Sequence, residues 1–343
     1  MTDVQTGLMR INPGEQGDHV FALGNTSVTV SGVADKGFYR LAAAQPKYLV
    51  IDLSGGPGAG SYPWETLSEA PAGGWTDEHK TTKLVLRHIP AGKFLMGSHT
   101  NELGRSDTED LHEVTLTQRF YIGSFPVTQR QWELVMGTLP SHFNNAQYYA
   151  TRPVEHVSYE MIRGSTQGAQ WPSNNNVDAS SFLGVLRAKT SLTADLPTEA
   201  QWEYACRAGT THAALNSDKN LTDTTQCPNV TEVGRKGVGH QSYQSCATNY
   251  GTAAVGSYRS HKWGLYDMHG NVWEWCLDWH ASRLGTSAVT DPKGNARDTD
   301  YGRVVRGGSY KSNASDCRSA QRSISRPDYN APSIGFRVYV LHL

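Results

Sequence analysis

The segment Trp263–Trp279, WGLYDMHGNVWEWCLDW, constrains the fold of this chain more than any other stretch, because four of the chain's nine tryptophans fall in it. An indole brings a large apolar area that has to be packed. After Gly270-Asn271 the alternation Trp273-Glu274-Trp275 reads as a strand, with both indoles on one face and Glu274 on the other. Asn271 and Glu274 bring hard oxygen donors, and neighbouring main-chain carbonyls can complete a calcium cage. Asn271 and Glu274 are therefore the candidate side chains. The alternative is that Asn271 and Glu274 only hold loop backbone by hydrogen bonds.

Composition narrows the class. The 34 glycines sit beside 9 Trp, 16 Tyr and 8 Phe, while only 18% of residues are charged. That is neither a disordered composition nor a collagen or coiled-coil one. It fits a turn-rich globule with aromatic anchors. A net charge of −1 excludes nucleic-acid binding by bulk positive charge. No apolar run approaches the roughly 18–20 residues of a membrane helix, so no transmembrane segment is expected. Residues 1–18 lack a basic stretch followed by an apolar one, so no signal peptide is read. The compartment stays open, and a cell-surface location would require a leader already removed. The five cysteines, at 206, 227, 246, 276 and 317, form no CxxC pair. They read as buried or unpaired thiols, with Cys227 and Cys246 as the pair to test for a bridge.

Along the chain, Val20–Leu23, Ser27–Val30 and Tyr48–Ile51 have strand patterns. The Gly/Pro/Ser stretches 54–61 and 71–74 suggest a boundary before Lys83–Leu86. Residues 1–83 are therefore expected to form an accessory β-rich module and linker, and 84–343 the main domain. Helices are expected over Thr128–Met136, Val177–Lys189 and Thr198–Ala208. In the first and third, Thr128 and Thr198 pair with Gln131 and Gln201 as capping boxes. The polar loop from Thr210 to Ser257 is long enough to be functional or tied down.

A second constellation is Arg303–Tyr310, followed by Cys317–Arg322 and Ile334–Val338. Val304-Val305 and Phe336–Val340 read as strands, and Gly307-Gly308 permits close backbone approach. Arg306, Arg322 and Arg337 are candidates for ion pairs that brace the loop between them. The 13 histidines give no HExxH, and no Walker A or GxSxG motif is present. His156 is expected to be a satisfied, buried histidine, and Cys206 and Cys276 to pack. Cys317, beside Arg318 in a polar loop, is the one candidate catalytic residue, with no general base identified for it.

Taken in order, these blocks resemble the formylglycine-generating enzyme family, or sulfatase-modifying-factor domain. The carriers are Gly92–Ser98, His112–Val114, Pro126–Gln129 with Trp132, Pro153-Val154 with Val157–Tyr159, Leu196–Ala205, Gly264–Trp275, Arg306–Tyr310 and Gly335–Arg337. The resemblance spans roughly 85–341. It implies an α+β, loop-rich, elaborated C-type-lectin-like domain, with calcium held by His269, Gly270, Asn271, Val272 and Glu274, partly through main-chain carbonyls. It also implies a test of activity. The active enzymes hold copper through two cysteines after the Gly-Gly-Ser-Tyr motif, and those positions are Ser312 and Cys317 here. A hydroxyl is a poor ligand for copper(I), so the resemblance implies no such copper centre. The iron-dependent branch is disfavoured because its His-x3-His-x-Glu pattern is absent.

A third branch comprises variable ligand-binding proteins diversified by diversity-generating retroelements. There the changed positions lie before the final Gly-Phe-Arg strand, near the C-terminus. Here that loop holds Ser312, Asn313, Ser315, Asp316, Ser323, Ile324, Ser325, Arg326, Asp328, Tyr329, Asn330, Ala331, Pro332 and Ser333. Each is reachable by changing only the adenines of an asparagine AAC codon. The expected function is a non-catalytic protein displaying this surface to a protein or glycan ligand. The alternative is a copper- or iron-dependent oxidase or modifying enzyme with a degenerate one-cysteine site at Cys317.

Overall fold

The structure is a computed structural model. It describes the backbone of five strands within residues 1–45. With side chains it describes 46–210, 215, 220–224, 228–234, 251–296 and 302–341, the side chains of Pro228 and Thr231 excepted. Contacts divide the chain into Met1–Pro46 and Lys47–Leu343. In the first unit, β1 (Thr2–Asp3), β2 (Leu8–Arg10) and β5 (Phe38–Arg40) form one antiparallel sheet. The hairpin of β3 (His19–Leu23) and β4 (Thr26–Val30) forms another, as the alternation at 20–30 predicts.

The expected boundary at residue 83 differs from this division. Strands β6 (Tyr48–Asp52) and β7 (Trp64–Leu67) pair with each other, and β6 also pairs with β8 (Lys83–Ile89). Four of the five β6 residues are buried, so the strand is part of the larger unit's core. The glycine-rich stretch 54–61 is the connection between two neighbouring strands, and a polar turn reads like a linker when only local sequence is visible.

The larger unit holds three sheets. Helix α1 (Glu78–Thr81) precedes β8; β9 (Gly92–Met96) and β10 (His112–Leu116) follow as an antiparallel pair, then β11 (Phe120–Gly123). Helices α2 (Gln129–Met136), α3 (Tyr159–Arg163), α4 (Phe182–Thr190), α5 (Glu199–Arg207) and α6 (Pro228–Val233) are short, with β12 (Ala194–Asp195) between α4 and α5. The last strands are β13 (Trp273–Trp279), β14 (Val289–Thr290), β15 (Arg303–Arg306), β16 (Arg322–Ser325), β17 (Ile334–Gly335) and β18 (Tyr339–Leu341). The orders are β12-β18-β11-β8-β6-β7, β16-β15-β13-β17 and β14-β10-β9.

Both capping boxes form as the sequence predicts, on Thr128 with Gln131 and on Thr198 with Gln201. Helix α4 starts later than expected, at Phe182 with Ser181 as cap. The residues before it are held elsewhere: the Asp178 carboxylate accepts hydrogen bonds from the backbone of Thr166, Gln167 and Gly168. The apolar spacing of Val177 therefore does not extend the helix. After Gly209 no helix is read in the sequence, yet α6 forms. Phe336–Val340 does not run as one strand, because Phe336–Val338 interrupts β17 and β18. The buried core joins the indoles of Trp132 and Trp275 to Phe336, and that of Trp202 to Met268 and Cys276. No helix among the described residues is long and apolar enough to cross a membrane. Cys227, Cys246 and most of the loop Thr210–Ser257 lie outside the described residues.

Candidate functional site

Strand β13 carries Glu274 into the middle of the fold, at 1% exposure. Arg337 meets it bidentately, Nε to Oε2 and Nη2 to Oε1, both at 2.7 Å. The Trp202 indole N–H donates to Oε2 at 2.6 Å. Arg337 also donates to the carbonyls of Gly123 (2.7 Å) and Tyr266 (3.0 Å), so one guanidinium ties four chain segments together. Such planar two-point pairing is what arginine does and lysine does not.

The remaining arginines hold the backbone after β15. Arg306 donates to Glu203 and to the carbonyls of Ser319 and Ala320, the latter two at 3.1 and 2.8 Å. Arg318 grips Glu109 at 2.6 and 2.8 Å and donates to Ser315 O at 3.0 Å. Arg322 grips Glu199 at 2.6 and 2.9 Å. Burial opposes the charge on Glu199, but Arg322 outweighs it and holds the carboxyl below its ordinary value. The bracing role read for Arg306, Arg322 and Arg337 is thus what the geometry shows. Gly308, at φ +76°, sits where a Cβ would lie 2.8 Å from Cys317 Sγ, so only glycine lets the loop close on itself.

The fourteen positions read as a binding surface divide into two groups. Ser312, Asn313, Ser315 and Asp316 surround the 3-10 turn Ala314–Cys317. Ser312 is buried, its Oγ accepting from Ser309 N at 3.1 Å. The second group runs along β16, at the end of its sheet, and through two turns closed by Tyr329 N to Arg326 O and Ile334 N to Ala331 O. Its backbone is pinned by Glu160 N to Pro327 O and His156 N to Ala331 O. Ile324 is 39% and Tyr329 53% exposed, and Arg326, Asp328 and Asn330 are exposed beside them. Ser323, Ser325, Pro332 and Ser333 are half-buried. Ala331 is buried in the core, a placement that an adenine-codon pattern cannot register.

Cys317 does not sit in the polar surroundings its neighbours suggest. It is fully buried with Leu215, Leu221, Val230 and Ala314. Cys206 and Cys276 are buried as expected, and burial pushes the Cys206 thiol up to about 12. His156 is satisfied as expected, bonding Pro140 O through Nδ1 at 3.2 Å, but it is half-buried rather than buried.

The donors expected to hold calcium are brought together but are already engaged. Both Glu274 oxygens face Arg337. The Asn271 side chain bonds the backbone of Ala253 in both directions, and His269 Nδ1 bonds Cys317 O. Asn271 O accepts from Tyr310 N, and Gly270 O from Val272 N. Glu274 therefore already faces a cation, the Arg337 guanidinium. Among the described residues no group of three or more His, Cys, Asp or Glu side chains could hold a metal ion. Oδ1 of buried Asp267 and Oγ1 of Thr252 have no hydrogen-bond partner among the described residues. Burial raises that carboxyl to about 6.

Sequence reasoning missed a cavity of about 420 Å³ behind β14. His112, Glu199, Asp278 and Arg322 line it with Trp279 and Leu284. Asp278 lies in an irregularity: from Trp275 to Trp279 β13 advances four positions while β15 moves two, from Val305 to Arg303. Local sequence gives no sign of that bulge.

Residues 74–341 match the family model of the sulfatase-modifying factor enzyme 1-like domain. The formylglycine-generating enzyme of Mus musculus is 28% identical over 293 residues, 76% of each chain. That of Streptomyces coelicolor is 30% identical over 288 residues, 73% of this chain and 87% of its own. Among solved structures, Treponema denticola variable protein 1 superposes with a TM-score of 0.58 at 25% identity, covering 76% of this chain and 96% of that one. The loop-rich α+β, C-type-lectin-like architecture and the match over most of its length agree: the chain belongs to the sulfatase-modifying factor enzyme 1-like domain family.

Proposed function

We propose that this protein is a non-catalytic binder that displays the surface from Ser323 to Asn330 to a protein or glycan ligand. One observation carries the reading. The backbone here is fixed by buried groups that precede or follow the surface, while Ile324 and Tyr329 are left exposed on it. An exposed apolar pair on a rigid loop is what a recognition surface needs. The similarity to a solved protein named as a variable protein supports the same reading. Buried Ser312, at a copper-ligand position of the active enzymes, supports it further.

Diversification is tested by sequencing this coding region in many descendants of one lineage. The expected result is substitutions concentrated at codons 323–326 and 328–330, with codons 318, 322 and 337 unchanged. Substitutions spread evenly over the domain would overturn it. The similarity to formylglycine-generating enzymes keeps a second reading, an oxidase or modifying enzyme with one thiol. Copper(I) titration and oxygen uptake with a Cys317→Ala control decide that reading. Activity lost in the control would establish it.

A further inference from the structure

The cavity behind β14 is independent of the display surface. Its volume of about 420 Å³ lies in the range of small-molecule sites. Two side chains bring unused hydrogen-bonding atoms to it. His112 is 5% exposed, and its ring is fixed by Nδ1 against Asp110 O at 2.9 Å. A carbonyl oxygen only accepts, so Nδ1 carries the proton and Nε2 is left as an acceptor. Asp278 is 3% exposed, and its Oδ2 accepts from Glu199 N at 2.7 Å. Its Oδ1 has no hydrogen-bond partner among the described residues. Burial and the charge of Glu199 raise this carboxyl to about 7, so near neutrality Oδ1 can carry a proton and donate. Gly294 packs against it so closely that a Cβ there would lie 2.8 Å from Oδ1.

The charges around the cavity are balanced. Glu199 is neutralised by Arg322, and Arg283 at the rim by Asp110. Lys293 adds a further cation, which disfavours a cationic ligand; a titrating Asp278 disfavours an anionic one. A hydroxyl group both donates and accepts, and so satisfies the acceptor and the donor alike. Met96, Leu284 and the Trp279 ring supply an apolar wall for the carbon skeleton.

We propose that this cavity binds a small neutral hydroxylated molecule, the size of a monosaccharide or short polyol, with His112 and Asp278 as its hydrogen-bond partners. The test is ligand-observed NMR and calorimetry on the full chain with glucose, galactose, mannose and N-acetylglucosamine. Glycerol, methylammonium and acetate serve as size and charge controls. At least one sugar is expected to bind saturably, with Kd raised at least tenfold by His112→Phe. Thr290→Trp, at an exposed position lining the cavity, is expected to abolish binding without touching the core. It decides the matter if His112→Phe fails to fold. No saturable sugar binding, sugar binding that survives Thr290→Trp, or preference for methylammonium or acetate would each overturn the proposal.

Discussion

Glu274→Gln is the perturbation that most sharply tests how the centre of this fold is held. The substitution keeps the side-chain shape and removes the charge. Arg337 then retains only neutral acceptors, the carbonyls of Gly123 and Tyr266 among them, and loses both charge-assisted bonds to a carboxylate. The Trp202 N–H still finds an amide oxygen. Removing one member of a buried pair costs about 3–5 kcal/mol, and the retained carbonyl contacts place this case near 3. Arg337→Met should cost about 4–5 kcal/mol, because it also strands Gly123 O and Tyr266 O. The double variant should be less destabilised than the sum of the two by at least about 2 kcal/mol, since neither charge is then left alone. Urea unfolding followed by tryptophan fluorescence reads all three values, and a domain stability of roughly 5–15 kcal/mol leaves room for them. A cost under about 1 kcal/mol for Glu274→Gln, or strict additivity, would refute the view that Arg337 is the structural cation.

Four further outcomes are expected. Chelation should leave the melting temperature unchanged; a rise of several degrees on adding calcium would hand the neutralising role to a metal. Gly308→Ala should cost about 3 kcal/mol, combining a left-handed backbone with the clash on Cys317 Sγ. Gly285→Ala, at φ +79° with nothing nearby, should cost only about 1 by the same denaturation measurement. Asp278 has a folded pKa raised to about 7 against an ordinary 3.8. Its protonation therefore favours the folded state, and that advantage is lost as pH rises from about 4 through 7. Asp278→Asn should remove roughly 3 kcal/mol of that pH dependence between pH 5 and pH 8, at about 1.4 kcal/mol per unit, read from stability at those two values. Ile324→Ser with Tyr329→Ser should change stability by less than about 0.5 kcal/mol per site, whereas Ala331→Asp should unfold the loop, both read by thermal melts.

The sequence alone determined what depends on local chemistry and on ordered motifs. Thr128 with Gln131 and Thr198 with Gln201 specify helix starts, because capping needs only residues three apart. The indoles of β13 and the motif order specify the family scaffold, and Arg306, Arg322 and Arg337 were recognisable as braces. Which acid each arginine meets was not legible. Glu274 reaches Arg337 across 63 positions and Arg318 reaches Glu109 across 209, and nothing local encodes those distances. The same limit applies to the expected calcium set: Glu274 stands near Asn271 in sequence, but only the folded chain shows that a guanidinium meets its carboxylate. Tertiary structure also decided that Ala331 and Ser312 are buried while Ile324 and Tyr329 are exposed. All four stand in one polar-looking stretch, and their exposure depends on which distant segments cover them.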